Sequence, residues 1–254
     1  MKKHKMTKRL ILALGIIGLS VTGGRADSVN EKEITYADPT IYVENGKYYL
    51  TGTRNQEPQG FAILESTDLE HWTVPDGSSL QPILRKGDRT YGEKGFWAPQ
   101  YFKDKRTYYF TYTANEQTVI ASSKSVFGPF RQKEVKPIDA SAKNIDSFLF
   151  KDDDGKYYLY HVRFNKGNYL WVAEFDIKKG SIKPETLKQC MDCTEAWEKT
   201  PTYKSAPVME GPTVMKWDGV YYLFYSANHF MNIDYSVGYA TASSPFGPWK
   251  KHPN

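Results

Sequence analysis

One pattern occurs four times along this chain, and few folds can accommodate it. The copies are DPTIYVENGKYYLTGT from Asp38, APQYFKDKRTYYFTYT from Ala98, DSFLFKDDDGKYYLYHV from Asp146 and EGPTVMKWDGVYYLFYS from Glu210. In each, a short apolar strand runs through a polar turn into a second strand that opens on a tyrosine pair, and turns of this Asn, Asp, Gly and Lys type close tight hairpins. The pairs Tyr48-Tyr49, Tyr108-Tyr109, Tyr157-Tyr158 and Tyr221-Tyr222 recur at intervals of 60, 49 and 64 residues, close to the length of a propeller blade. A third strand follows in every unit: FAILES from Phe61, TVIASS from Thr118, LWVAEF from Leu170 and SVGYATA from Ser236. Edge segments STDLEHW, SVFGPF and SPFGPW come after three of them. The chain is therefore expected to be all-β, a β-propeller with about four blades present. No helical period appears after residue 26, and an aromatic content of 15% suits half-buried sheets packed face to face. A β-sandwich is the alternative.

Residues 1–26 read differently. A basic start, an apolar run from Leu10 to Val21 and the small residues Gly24 and Ala26 form the pattern of a secretory signal peptide. The run is too short for a membrane anchor, which needs about 20 apolar residues. Residues 27–254 are then the propeller domain, in the periplasm or outside the cell, with no membrane partner after cleavage. The leader holds six Lys or Arg and no acid, so its removal takes the formal charge from +5 to −1. The basicity is a targeting feature, and no nucleic-acid partner is expected. The two cysteines, Cys190 and Cys193, fall between strands and outside a thioredoxin-like setting. A local disulfide or two inert thiols are both compatible with that position, and no zinc ligands stand nearby.

Counting back from the tyrosine pairs, Asp38 and Ala98 lie ten residues before theirs, Asp146 and Glu210 eleven. Three of the four positions carry carboxylates. The first strand of each blade lines the channel, so these acids are expected at one mouth of it. Carboxylates gathered in this way repel one another, and at least one should keep its proton near neutral pH. Two with pKa values pushed apart make an acid and base pair able to cleave a glycosidic bond.

YADPT around Asp38, FWAPQ at Phe96–Gln100, NIDSFLF around Asp146 and MEGPTV around Glu210, in this order and spacing, resemble glycoside hydrolase family 43. The resemblance covers residues 34–250 and implies a secreted five-bladed propeller acting on pentose-containing polysaccharides. It implies Asp38 as the general base that activates water, Glu210 as the general acid, and Asp146 as the third acid, which orients Glu210 and keeps its pKa high. It also implies inversion at the anomeric carbon, for which the two working carboxyls stand roughly 6.5–9.5 Å apart. Around the acids, Trp97 is placed to stack on a sugar face with Phe96 beside it, and Asn228 and His229 to bond ring hydroxyls. For Trp97, Phe96 and Tyr225 packing is the alternative, and His229 has a structural alternative. His71 falls on an outer edge. By the observed intervals a fifth unit would begin at about residues 260–275, so the chain reads as lacking its last blade. His252 lies on an edge segment and does not replace the histidine that a last blade brings to the channel.

The implied activity is that of an exo-acting α-L-arabinofuranosidase on arabinan, arabinoxylan or related oligosaccharides, with β-xylosidase and β-galactosidase as rivals. A retaining fructosidase is disfavoured, because Ala37 precedes Asp38, Gly211 follows Glu210 and no RDP motif occurs. A non-catalytic carbohydrate-binding propeller is the reading from another class. No cofactor is required; a structural calcium in the central channel belongs to the resemblance, and no metal ligands are assigned in this chain.

Overall fold

The computed structural model describes residues 34–54, 59–75, 81–202 and 204–253; the expected leader lies outside them. Four antiparallel blades follow one another. Blade I has β1 (Ala37–Glu44), β2 (Lys47–Thr53), and a third strand split into β3 (Gly60–Ala62) and β4 (Leu64–Ser66). β4 continues the sheet beside β2, whereas β3 leaves it to pair with β5 (Pro82–Arg85). Gly60 permits that departure, since with φ at +141° a Cβ there would meet the Leu84 carbonyl oxygen at 2.0 Å.

Blade II is β6 (Trp97–Asp104), β7 (Thr107–Ala114) and β8 (Gln117–Ser123). Blade III is β9 (Asn144–Lys151), β10 (Tyr157–Phe164) and β11 (Asn168–Asp176), edged by β12 (Ser181–Ile182) and β13 (Lys188–Gln189). Blade IV is β14 (Met209–Trp217), β15 (Val220–Ala227), β16 (Ser236–Ala242) and β17 (Lys250–Lys251). The edges of blades I and II are single bridges, Glu65 to Thr73 and Ser122 to Arg131.

Apolar layers fill the spaces between successive blades. Phe61, Tyr101, Phe110, Tyr112 and Phe130 pack between blades I and II, and Tyr160, Leu170, Met209 and Leu223 between blades III and IV. Between blades II and III, Gln100 bonds the β9 backbone with its side-chain amide: Leu149 N–H donates to Oε1 at 2.7 Å and Nε2 donates to the Leu149 carbonyl at 3.1 Å. It satisfies both polar groups of a strand edge that would otherwise be buried unpaired.

At the hairpin ends a second device repeats three times. The acid closing one inner strand meets the lysine of the next blade's inner strand and the first tyrosine of that blade's pair. Glu44 takes Lys103 and Tyr108, the phenol donating at 2.5 Å. Asp104 takes Lys151 at 2.6 Å, with Tyr157 bonded alongside. Asp152 takes Lys216 at 2.8 Å and Tyr221 at 2.5 Å. Each ammonium also sits 4.6–5.4 Å from the centroid of its tyrosine ring.

The sheets do not close on themselves. At the lysine position blade I has Val43, 55% exposed, and at the acid position blade IV has Trp217, 68% exposed. Ile41 on one face and Met215 and Val237 on the other extend these apolar edges.

Candidate active site

Each inner strand carries a bulge at the same height, shown by register shifts at Ala37/Thr40, Trp97/Gln100, Glu210/Thr213 and opposite Tyr160/Val162. The bulged residue is left-handed in every blade: Asp38 at φ 46°, Ala98 at 44°, Asp146 at 54° and Gly211 at 61°. A bulge re-aims side chains and bends the strand, and here it turns the ends of four strands toward one mouth.

This register corrects the alignment drawn from the tyrosine pairs. Asp146 lies eleven residues before its pair because the turn of blade III runs over 152–156, whereas the other three turns have two residues. Blade IV has a two-residue turn, so its eleven places Glu210 one residue upstream of the bulge, with Gly211 at the position of the two aspartates. Glu210 therefore shares its register position with Ala37, Trp97 and Ile145. A glutamate in place of an aspartate supplies the extra reach that this offset demands.

The acids are held by hydrogen bonds that cross between blades. Thr53 Oγ1 accepts the Ala98 N–H at 2.8 Å and donates its one proton to Asp38 Oδ2 at 2.6 Å. Thr113 Oγ1, at the same place in blade II, accepts the Asp146 N–H at 3.0 Å. Blade III has Val162 there, without an oxygen. The Gly211 N–H turns instead to Asp146 Oδ2, at 3.1 Å. Tyr235 donates its phenol proton to Glu210 Oε1 at 2.9 Å.

Burial pushes the Asp146 carboxyl up to about 8, and the charges of Glu210 and Asp38 add to this against the Gly211 bond. Burial also raises Glu210, with Asp38 adding and the Tyr235 hydroxyl and His229 opposing. Pushed up to about 8, Asp146 is the acid of this group that keeps a proton near neutral pH. Its proton belongs on Oδ1, since Oδ2 accepts from Gly211.

The raised Asp146 has a consequence for stability. Below about pH 4 the carboxyl is protonated whether the chain is folded or not; as pH rises toward 8 the unfolded chain ionises first, and folding loses stability over that window. Asp146→Asn removes the cost and keeps an oxygen for Gly211. We expect this variant to melt above wild type at pH 8 by roughly 2–4 °C or more, about 1 kcal/mol for a domain of this size, with the gap closing toward pH 4. A gap that is constant or widens on acidification would contradict the assignment.

Of the side chains expected to grip sugar, Trp97 and His229 reach the mouth. Trp97 is exposed at the register position of Glu210, its ring packed over Gly95. His229 stacks on Phe230 at 4.7 Å, and its Nδ1 accepts the Met231 N–H at 3.2 Å, which places the neutral ring's proton on Nε2. Phe96 and Asn228 are corrected. Phe96 is 4% exposed and stacked on Tyr112, 8° from parallel, inside the layer between blades I and II. Asn228 is fully buried: Oδ1 accepts the Thr200 N–H at 2.9 Å, and Nδ2 donates to the carbonyls of Trp197 and Asp234. Its amide is committed to loops around the site, leaving nothing for a ring hydroxyl. Tyr225 packs in the core, and His71 and His252 stand on outer edges, His252 stacked on Tyr239.

Tyr235 was not anticipated, because 25 residues separate it from Glu210 and no repeat marks it. Among the described residues no group of three His, Cys, Asp or Glu is arranged to hold a metal ion.

Comparison with known proteins places this geometry. The chain is 43% identical to a Bacteroides thetaiotaomicron protein whose crystal structure is described as an endo-1,4-beta-xylanase, with a TM-score of 0.79 over 86% of this chain and 72% of that one. A thermostable family-43 glycoside hydrolase is 31% identical at a TM-score of 0.75. Among curated proteins, it is 27% identical to the extracellular endo-alpha-(1->5)-L-arabinanase 1 of Bacillus subtilis, covering 98% of this chain and 80% of that one. It is 28% identical to a beta-D-galactofuranosidase of Aspergillus niger, of whose length it spans 64%. The architecture is thus that of the five-bladed propellers, and a profile for Glycosyl hydrolases family 43 matches residues 32–254. The chain belongs to this family of enzymes that hydrolyse glycosidic bonds.

Proposed function

We propose that the chain is an inverting exo-glycosidase acting on pentose-containing plant polysaccharides, with α-L-arabinofuranosides as substrate. The observation that carries the mechanism is the burial of Glu210 among converging acids. Asp38 and Glu210 each accept one hydroxyl proton, from Thr53 and Tyr235, and at Glu210 burial outweighs that bond and favours the protonated form. In one displacement, water attacks the anomeric carbon and gives a proton to Asp38, while Glu210 protonates the departing glycosidic oxygen as the C–O bond breaks. Solvent then returns the proton from Asp38 to Glu210. Asp146 acts as a positioning residue: it is bonded to the backbone beside Glu210.

β-Xylosides are the second reading, favoured by the 43% identity to the protein described as an endo-1,4-beta-xylanase. Release from nitrophenyl α-L-arabinofuranoside, β-D-xyloside and β-D-galactoside separates the readings. The anomer first formed, followed by NMR, tests inversion. No turnover of any of the three, with arabinan still bound, would favour a carbohydrate-binding propeller. Export is supported by the pattern of residues 1–26 and by the relative named extracellular.

Tyr235→Phe removes a donor that favours the charged form of Glu210. The alkaline limb of kcat/KM should move to higher pH, with the maximum lowered about threefold to tenfold, the equivalent of one hydrogen bond. A shift to lower pH would show that the phenol does not act on the acid.

A further inference from the structure

A cleft of about 490 Å³ opens far from the acids, between the outer parts of blades II and III. Its size is within the range of ordinary ligand clefts, about 300–1,000 Å³. Strand β8 forms the floor with Ile120, Ala121 and Ser122, beside Tyr109. One wall is the edge segment 131–136 of blade II, and the other is the turn 177–181 that joins β11 to β12.

The lining is cationic. Arg131, Lys133, Lys136, Lys178 and Lys179 face a single acid, Glu134. Three of the five are already engaged: Arg131 with both oxygens of Asp88, Lys136 with Glu134 at 2.6 Å, and Lys179 with Asp176 at 3.8 Å. Among the described residues Lys133 and Lys178 form no direct ion pair, although the Lys178 charge acts on Asp176 from a distance. This concentration of charge occurs in a chain whose residues 27–254 carry a formal −1.

We propose that this cleft is a second carbohydrate site, which binds the carboxylates of uronate-bearing polysaccharide while the channel mouth takes the neutral sugar. The proposal rests on the carbohydrate reading of the channel. Lysine ammonium groups are point charges that suit anionic groups dispersed along a flexible glycan, and a uronate supplies such a group together with the ring hydroxyls that the rest of the lining can bond. The one arginine here is occupied. Ser122, Ser181 and the Tyr109 ring complete a lining of hydroxyls and one aromatic face, as a sugar requires.

The test is retardation of the full chain in native gels containing polygalacturonate, neutral arabinan or dextran sulfate. The K133E/K178E double variant should lose about tenfold in apparent affinity for polygalacturonate, with arabinan retardation and nitrophenyl-glycoside turnover unchanged. K133Q/K178Q, a milder change, should show a smaller loss in the same direction. Equal retardation of wild type and both variants by polygalacturonate would overturn the proposal. So would dextran sulfate retarding wild type as strongly as polygalacturonate, since that is ion exchange alone. Absence of turnover in wild type with polygalacturonate binding retained would defeat the catalytic reading and leave this site standing.

Discussion

Glu210→Gln should lower kcat on an unactivated arabino-oligosaccharide by about 10²–10⁴-fold, the usual contribution of a positioned acid. Nitrophenyl glycosides should suffer much less, because a nitrophenolate departs without needing a full proton. The amide keeps an oxygen to accept from Tyr235, so the mouth retains its shape and KM should hold nearly constant. This contrast between leaving groups separates proton donation from mere loss of charge. An equal fall on both substrates would remove Glu210 from the role of acid. Asp38→Asn offers the opposite control, since a base acting on water should matter alike for good and poor leaving groups.

The largest effect on stability is expected at Lys251, a residue of the short outer strand β17. Its ammonium lies 2.6 Å from Glu198 Oε2, and the glutamate side chain is fully buried. Glu198 also accepts from Tyr225 and from the backbone N–H groups of Thr194 and Glu195, while Lys251 reaches Thr194 Oγ1 and the Asp192 carbonyl. One ion pair therefore pins the connection between blades III and IV to the outer edge of blade IV. Lys251→Met leaves a buried carboxylate without its cation, which costs about 3–5 kcal/mol. At roughly 2–4 °C per kcal/mol the Tm should fall by about 6–20 °C. Adding Glu198→Gln should recover much of the loss, since replacing both members of a buried pair is far milder than orphaning one. A melt of the single variant within a degree or two of wild type would show that the pair carries little. The effect extends toward the site, because the same connection supplies the Trp197 carbonyl and the Thr200 N–H that hold Asn228, next to His229.

The tyrosine pairs, their spacing and the strand that follows each of them made the blades legible, because hairpins and a period-two burial pattern are local features. The two aspartates and the glutamate were legible for the same reason. The offset of Glu210 was not, since a bulge is a feature of pairing between strands; counting along one strand cannot distinguish an extra turn residue from an extra residue in the bulge. Asn228 and His229 are adjacent in sequence, yet one is consumed by two loops and the other faces the acids. Only the folded contacts decide between them. Phe96 and Trp97 divide likewise, as Phe96 ends the loop before β6 and packs inward while Trp97 opens the strand and stays exposed. The acid, lysine and tyrosine at the hairpin ends did stand in the sequence at fixed offsets, and aligning the copies on the bulge would have revealed them.

Those offsets have a further consequence at Val43 and Trp217. Acid in one blade and lysine in the next give the ring a direction, because each junction joins two unlike halves. If blade IV ended in an acid and blade I offered a lysine, the first and last blades would be mates, and four units could seal into a narrower circle with the carboxyls crowded together. The valine and the tryptophan deny that match. The lock has no key at the one place where closing early would spoil the spacing of the acids, and the opening there remains for apolar surface to fill.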